Sequence, residues 1–400
     1  LKLAVQEAKK TMSDWQDGIP FGLDDDTRAL RHAAREFAES EVLPLAAEID
    51  RNHRYPRELV EKMASLGFMG ATVPVELGGA GLTQVAYCLM IEELAAACAS
   101  TAIIVSAHHS LCTWPVMAFG TPEQHRDYVG PLARGEKLGC FALSEPGCGS
   151  DAASLTTTVT RDGNGFVING TKNWITNGTV ADIAVLFATH DRGAGHKGVC
   201  AFVHPLTLPG ITRGKAEDKL GIRGSPTCSL TYDNVKLGRE HLLSEFGKGF
   251  KVGMATLNGG RTGVAAQAVG IGRAALRDAL AYSKQRITFG RRICEHQSIQ
   301  NYLAEMLVRL NSARWLTLSA AALKDQGADH AQAAAMAKLA ASEAATFIAN
   351  KGVQIHGGYG YVVDYPAERH LRDAKITEIY EGTSEIQRMV VASHLVKDSE

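Results

Sequence analysis

The hydrophobic period of this chain changes twice along its length, and that change limits the fold more than any other feature. From Asp24 to about Lys137 the period is helical: Leu30, Ala33, Ala34, Phe37, Ala38 and Val42 follow an Asp24-Asp25-Asp26-Thr27 start signal. Pro44 is expected to bend or end that helix. Residues 57–66 and 83–100 read as two further amphipathic helices, with Gly78-Gly79-Ala80-Gly81 as a loop between them. From Leu138 the period shortens. Phe166-Val167-Ile168, Trp174-Ile175-Thr176, the apolar run 183–187, and residues 199–203 and 229–235 are β-rich and closely punctuated by Gly, Asn and Asp. No long helix separates these runs, which argues against a parallel βαβ arrangement. After about Gly247 helices return over 254–286 and 299–324. Residues 331–350 are rich in Ala, a strong helix former, with a stop expected at Lys351-Gly352.

This order predicts an α+β, mostly α chain in three parts. They are an N-terminal helical domain (1–137), a middle antiparallel β-barrel-like domain (138–246) and a C-terminal four-helix-bundle domain (247–400). A chain of 400 residues can bury a large core without disulfides or metals. Its 45% hydrophobic and 21% charged residues are usual for a soluble globular protein. The net charge of −1 gives no global field for nucleic acid or an anionic membrane. No apolar run is expected to approach the ~20 residues of a membrane span. The eight cysteines form no C-x-x-C pair and no zinc spacing, so they read as reduced thiols of a compartment such as cytosol or mitochondrial matrix. Residues 1–10 are too polar for a secretory signal, and without an initial Met a leader or a few further residues are expected before Leu1.

Three stretches carry chemistry. Leu143-Ser144-Glu145-Pro146-Gly147-Cys148-Gly149-Ser150-Asp151 reads first as a turn entering the β domain. Its glycines and hydroxyls also suit close approach of backbone to a flat or phosphorylated ligand. Gln354-Ile355-His356-Gly357-Gly358-Tyr359-Gly360-Tyr361 reads as a helix cap with a tight turn, or as a backbone surface for a ligand; the segment alone does not choose. In residues 377–388 each Glu taken singly is a solvated helix residue. Gly382-Thr383-Ser384-Glu385, however, looks like a helix break and restart, leaving Glu381 where a carboxylate can project into a cleft.

Together these stretches resemble the acyl-CoA dehydrogenase family from about residue 24 to 398. The first matches the flavin-loop signature S-E-P-G-x-G-S-D. The second, with Asp364, Arg369 and Asp373, matches the C-terminal signature, and Ile379-Tyr380-Glu381-Gly382-Thr383 matches the segment that carries the base. Lys338-Leu339-Ala340-Ala341-Ser342-Glu343-Ala344-Ala345 and Pro366-Ala367-Glu368-Arg369-His370 are similar to the short-chain, butyryl-type branch.

The resemblance implies FAD-dependent α,β-dehydrogenation of a short-chain acyl-CoA to the trans-2-enoyl-CoA. Glu381 would take the α-proton and electrons would pass on to an electron-transferring flavoprotein. It places Phe141, Leu143, Ser144 and Ser150 along the flavin, and Trp174 and Thr176 by the isoalloxazine ring. Arg286, Gln297, Gln354, Gly357 and Gly358 would touch the FAD of a neighbouring subunit, and Thr383 and Glu385 the diphosphate. The enzyme would then be a homo-oligomer, usually a tetramer. Ser150, Asn258, Arg261 and Gly382 fall on the substrate side. Two departures stand out: the family's D-x-x-R reads Asn258-Gly259-Gly260-Arg261, and Cys148 replaces the usual Asn or Ala. Branches such as the isovaleryl type carry their Glu on the helix beside Arg261, where this chain has Gly259 and Gly260. Glu381 is then the remaining candidate, and Glu378 reads as structural or surface.

Alternative readings are a flavin oxidase or monooxygenase on the same fold, or a non-catalytic flavoprotein. Gly270-Ile271-Gly272-Arg273-Ala274-Ala275 fits G-x-G-x-x-A but follows no strand, so its glycines read as helix-packing residues. His108-His109 reads as a core or pocket pair, with no partner ligands at helical spacing and no metal expected.

Overall fold

The computed structural model describes residues 22–397, and the expectations about residues 1–10 lie outside them. The longer helices are labelled here in chain order. In the first third these include α1 (Asp25–Phe37), α2 (Gln84–Ala97) and α3 (Ala99–Ser106), with Arg57–Ser65 a further helix left without a label. Asp24 caps α1 by accepting from the Thr27 N–H at 2.6 Å, as the start signal implied. α1 ends at Phe37, but the helical path does not stop at Pro44. It runs through a π turn (Ala38–Val42) and a 3-10 turn (Leu43–Leu45) into Ala46–Arg51. Pro44 sits at the start of the 3-10 turn, where its missing N–H costs nothing.

The middle third holds β1 (Gly139–Ala142), β2 (Thr158–Asp162), β3 (Gly165–Thr176), β4 (Ile183–Thr189), β5 (Val199–Pro205), β6 (Ile211–Arg213), β7 (Thr227–Leu237) and β8 (Leu242–Leu243). They make one sheet in the order β6-β7-β3-β2-β4-β5-β8. Among the described residues no pairing joins the end strands β6 and β8. Pairing is antiparallel except on one edge of β4, where β1 lies parallel along Ile183 to Leu186 and β2 meets Thr189.

The continuous apolar run of β4 has a direct cause: both of its faces are covered. Ala184, Leu186 and Ala188 pack into one core with Phe166, Phe202 and Tyr232. Ile183, Val185 and Phe187 face a second core with Cys112, Val116 and Leu132 from the helical domain. A strand buried on both faces has no polar side to alternate with.

The last third is a bundle of α4 (Gly249–Gln285), α5 (Gln297–Asp325), α6 (Ala331–His356) and a broken fourth member, α7 (Ala367–Ile376) with α8 (Ser384–Lys397). α6 does not stop at Lys351-Gly352. Gly352 is buried within the helix, where a Cβ would lie 3.6 Å from the Ala275 carbonyl of α4. The helix ends at Gly357, whose φ of 61° a side chain would resist. Gly270 is likewise a packing glycine: a Cβ there would meet the Glu92 carbonyl of α2 at 2.5 Å.

The helical stretch Ala99–Phe119 has a mean hydropathy of 1.3 over its most apolar window, enough by length and composition to cross a membrane. This differs from the expectation that no run approaches a span. Its apolarity serves the protein's own cores, since 78% of that window is buried. All eight cysteines are free thiols, and Cys294 alone among them is not fully buried.

Candidate active site

The break between α7 and α8 builds the centre of the site. Glu381 adopts φ 52° and Gly382 φ 93°, so two successive residues turn left-handed. Glu is rarely found there. Gly382 is required by its neighbour as well, because a Cβ would lie 2.6 Å from Gln387 Nε2. Thr383 restarts the helix, its hydroxyl accepting from the Ile386 N–H at 3.3 Å. The turn carries the Glu381 carboxylate to the flank of α4. A Cβ on Gly260 would come within 2.3 Å of Glu381 Oε2, so that glycine makes the space the carboxylate occupies.

Both carboxylate oxygens of Glu381 are buried, and neither has a hydrogen-bond partner. Burial pushes the carboxyl up to about 7, against the pull of the Lys338 and Arg261 charges. The rise needs no acyl chain in place, because the protein's own walls already produce it. Arg261 is 5% exposed, donates to Asn258 Oδ1 at 2.6 Å and keeps its Nε unpartnered. Asn258 therefore still engages the arginine where the family pattern has Asp. Glu378 pairs with Lys375 at 2.6 Å.

The flavin-loop residues gather on the β domain. Lys172 Nζ of β3, fully buried, donates to Leu143 O at 3.0 Å and to Glu145 Oε1 at 2.7 Å. The Asn173 N–H donates to Ser144 O at 2.9 Å. Loop and strand are thus fastened as one surface. On it Trp174 sits at a register irregularity with φ 61° and 61% exposure, instead of packing in the β core as its residue type alone suggests. Thr176 and Ser144 lie half-buried beside it, Ser150 is exposed, and Phe141 packs on Phe187 at 5.0 Å between ring centroids. Cys148 is buried and its thiol donates to Asp151 O at 2.9 Å.

A second group stands elsewhere. Arg286, Gly357 and Gly358 line an open cleft with Tyr282, His356 and Tyr365, while Gln297 and Gln354 are exposed nearby in sequence. Arg261 lies within α4 and Arg286 just past its C-terminal end, so the helix from Arg261 to Gln285 alone spans about 36 Å. A single chain therefore presents two separate parts of the expected cofactor surface.

Sequence reasoning missed Lys338, Gln387, and the Lys172–Glu145 pair. Lys338 and Gln387 are buried polar residues within helices, and nothing in their local sequence marks which way they face. His108 is engaged on both ring nitrogens, by Gly139 N and Leu132 O at 3.0 Å each, which leaves it none for a metal.

Family models agree across the chain: the N-terminal domain of acyl-CoA dehydrogenase matches residues 24–136, the middle domain 140–235 and the C-terminal domain 247–396. The chain belongs to the acyl-CoA dehydrogenase family of FAD-dependent oxidoreductases. It is similar to the mitochondrial short-chain specific acyl-CoA dehydrogenase of Bos taurus, 52% identical over 92% of this chain and 89% of that one. It is 46% identical to the short-chain specific acyl-CoA dehydrogenase of Clostridium acetobutylicum, over 95% of this chain and 100% of that one. Among solved structures, butyryl-CoA dehydrogenase from Megasphaera elsdenii superposes with a TM-score of 0.93 at 44% identity, covering 94% of this chain and 100% of that one.

Proposed function

We propose that this protein removes the α-proton and β-hydride of short-chain acyl-CoA thioesters, with Glu381 as the base. The observation that carries the reading is the Glu381 carboxylate: buried, without a hydrogen-bond partner, poised near neutral pH and set in the space that Gly260 leaves free. A carboxylate near its ordinary value of ~4.3 is a weak base for a thioester α-proton; one near neutrality is better matched. FAD, when bound, supplies hydride acceptance. The residues present suit it: Trp174 and Thr176 would lie beside the ring, and Ser144 and Ser150 would offer hydroxyl donors. Thr383 and Glu385 open α8 and would run along the diphosphate. Arg261 holds positive charge near the base, and the Glu381 N–H can donate to the thioester oxygen as negative charge gathers there.

The short acyl chain is supported by α4. Gly260, Gly263 and Gln267 share one face of it. The Ser106 hydroxyl and the Tyr87 OH close over Gly263, where a Cβ would lie 2.7 and 3.1 Å from them. That wall stands one step of three residues, about 4.5 Å, along the helix from the base. One turn further, Gln267 is held by Ala99 O at 3.1 Å and by the Tyr380 hydroxyl. The Arg286–Gly358 cleft would take the FAD of a second copy in a homotetramer. Electron-transferring flavoprotein is the proposed acceptor, by resemblance alone. The proposed location is cytoplasm in a bacterium or mitochondrial matrix in a eukaryote.

Anaerobic mixing with acyl-CoAs of graded length tests the reading. The flavin should bleach fastest with butyryl-CoA and far more slowly with octanoyl-CoA. Glu381→Gln should retain FAD and lose at least about a thousandfold in bleaching rate, the upper part of what a positioned base supplies. Bleaching of that variant at the parent rate would remove Glu381 from the role. Rapid oxygen consumption with substrate would favour an oxidase instead.

A further inference from the structure

Beside the base stands a buried cation with no part in the reaction as derived so far. Lys338, in the N-terminal third of α6, is completely buried, and its Nζ donates to Gly382 O at 2.7 Å. Gln387, also completely buried, reaches the same turn from α8. Its Nε2 donates to Gly382 O at 2.8 Å and to Glu381 O at 3.3 Å. Two side chains from two helices thus converge on the successive carbonyls of the two residues that turn left-handed. A non-glycine residue keeps that conformation only where its surroundings enforce it.

We propose that Lys338 and Gln387 are positioning residues for the base, locking the Glu381–Gly382 turn so that the carboxylate stays aimed over Gly260. The proposal rests on the reading of Glu381 as base. Lys338 has a second effect that Gln387 lacks. Its charge faces the Glu381 carboxylate and helps it ionise inside a pocket that excludes water. The other charged and titratable groups around this pair are Arg261 from α4, Glu378 and Tyr380 from the break, Glu385 from α8 and Tyr87 from α2. The two members are therefore separable. Loss of Gln387 loosens the turn; loss of Lys338 loosens it and removes a positive charge.

The test uses the FAD-loaded enzyme carrying Lys338→Met, Lys338→Arg, Gln387→Leu or Glu381→Gln. Bleaching by butyryl-CoA is followed across the neutral pH range, and backbone amide exchange is read over residues 380–384. Lys338→Met should lower the limiting rate roughly ten- to hundredfold with little change in half-saturation. It should also move the acidic limb of the pH profile upward by about one unit or more. Lys338→Arg should leave the limb in place. Gln387→Leu should slow bleaching without moving the limb, and both Lys338→Met and Gln387→Leu should speed amide exchange at the turn. An unmoved limb in Lys338→Met, or parent-like exchange in Gln387→Leu, overturns the proposal. If Lys338→Met does not fold, Gln387→Leu decides by exchange and rate together. Glu381→Gln separates the two claims. Parent-rate bleaching there removes the base itself, whereas an inactive Glu381→Gln beside unaffected Lys338 and Gln387 variants removes only the clamp.

Discussion

As the proposed base, Glu381 answers to two demands that oppose each other. A base must carry charge, and a pocket that grips an acyl chain expels the water that would stabilise charge. The compromise is a carboxyl held at about 7 by burial, with Lys338 and Arg261 limiting the rise. It has a consequence for stability. The folded value lies above the unfolded one, so between about pH 4.5 and 7 the unfolded chain sheds this proton first and the folded state loses ground as pH rises. Glu381→Gln, which cannot ionise, should be more stable than the parent by ~3 kcal/mol at about pH 8, with the gap shrinking towards zero near pH 4. Melting scans at the two pH values measure it. Gly260 is the complementary residue. Gly260→Ala places a methyl 2.3 Å from Glu381 Oε2 and 2.9 Å from Leu111 Cδ2. The carboxylate must then move, and bleaching should fall on the order of a hundredfold while the bound-flavin spectrum is kept. In the sequence, Gly260 matters only for lacking a carboxylate; in the fold it makes room for one.

At the scale of elements, strand β4 and helices α4 and α6 show how pattern is read well and address poorly. The β4 run is legible as a buried strand, because a short, unbroken apolar run bounded by turn residues has no polar face to offer water. Which residues serve which core is not legible, since that depends on the helices laid against the sheet. Gly270 and Gly272 are legible as packing glycines, and Gly270 lets α4 approach the backbone of α2. Gly270→Ala should therefore push the helices apart and cost about 1–3 kcal/mol, measured by thermal or denaturant unfolding. The end of α6 differs from its expected place. Lys351-Gly352 has the composition of a stop, yet the contact with Ala275 of α4 keeps Gly352 helical until the positive φ at Gly357. Tertiary contact outweighs a local propensity of about 1 kcal/mol.

Across the whole molecule, charge joins the N-terminal helices to the bundle. Glu93 of α2 accepts from Arg31 and Arg35 of the α1 helix and from Arg273 of α4. Glu92, beside it, accepts from Arg314 of α5. In sequence these are ordinary charged residues of amphipathic helices; in the fold Glu92, Glu93, Arg31, Arg273 and Arg314 are buried. Glu93→Ala would leave buried guanidinium groups without their carboxylate and should cost ~3–5 kcal/mol, visible as a lower melting temperature. The proposed homo-oligomer can be probed at the connection between α4 and α5, where Phe289 is 96% exposed with φ 50°. Phe289→Asp should lower the oligomeric state in light scattering and weaken FAD retention together, as a cofactor site shared between copies requires.

The sequence by itself determined the order of helical, β and helical parts, the glycine-punctuated loops and the helix break that singles out Glu381. Each is a property of contiguous residues: a period, a turn chemistry, a cap. Only the tertiary structure decided that Gly260 would flank that carboxylate, that Lys338 and Gln387 would meet at its turn, and that its proton would be held near neutrality. Burial is a sum over walls contributed by α4, α6, α8 and the turn itself. No local stretch of sequence contains that sum.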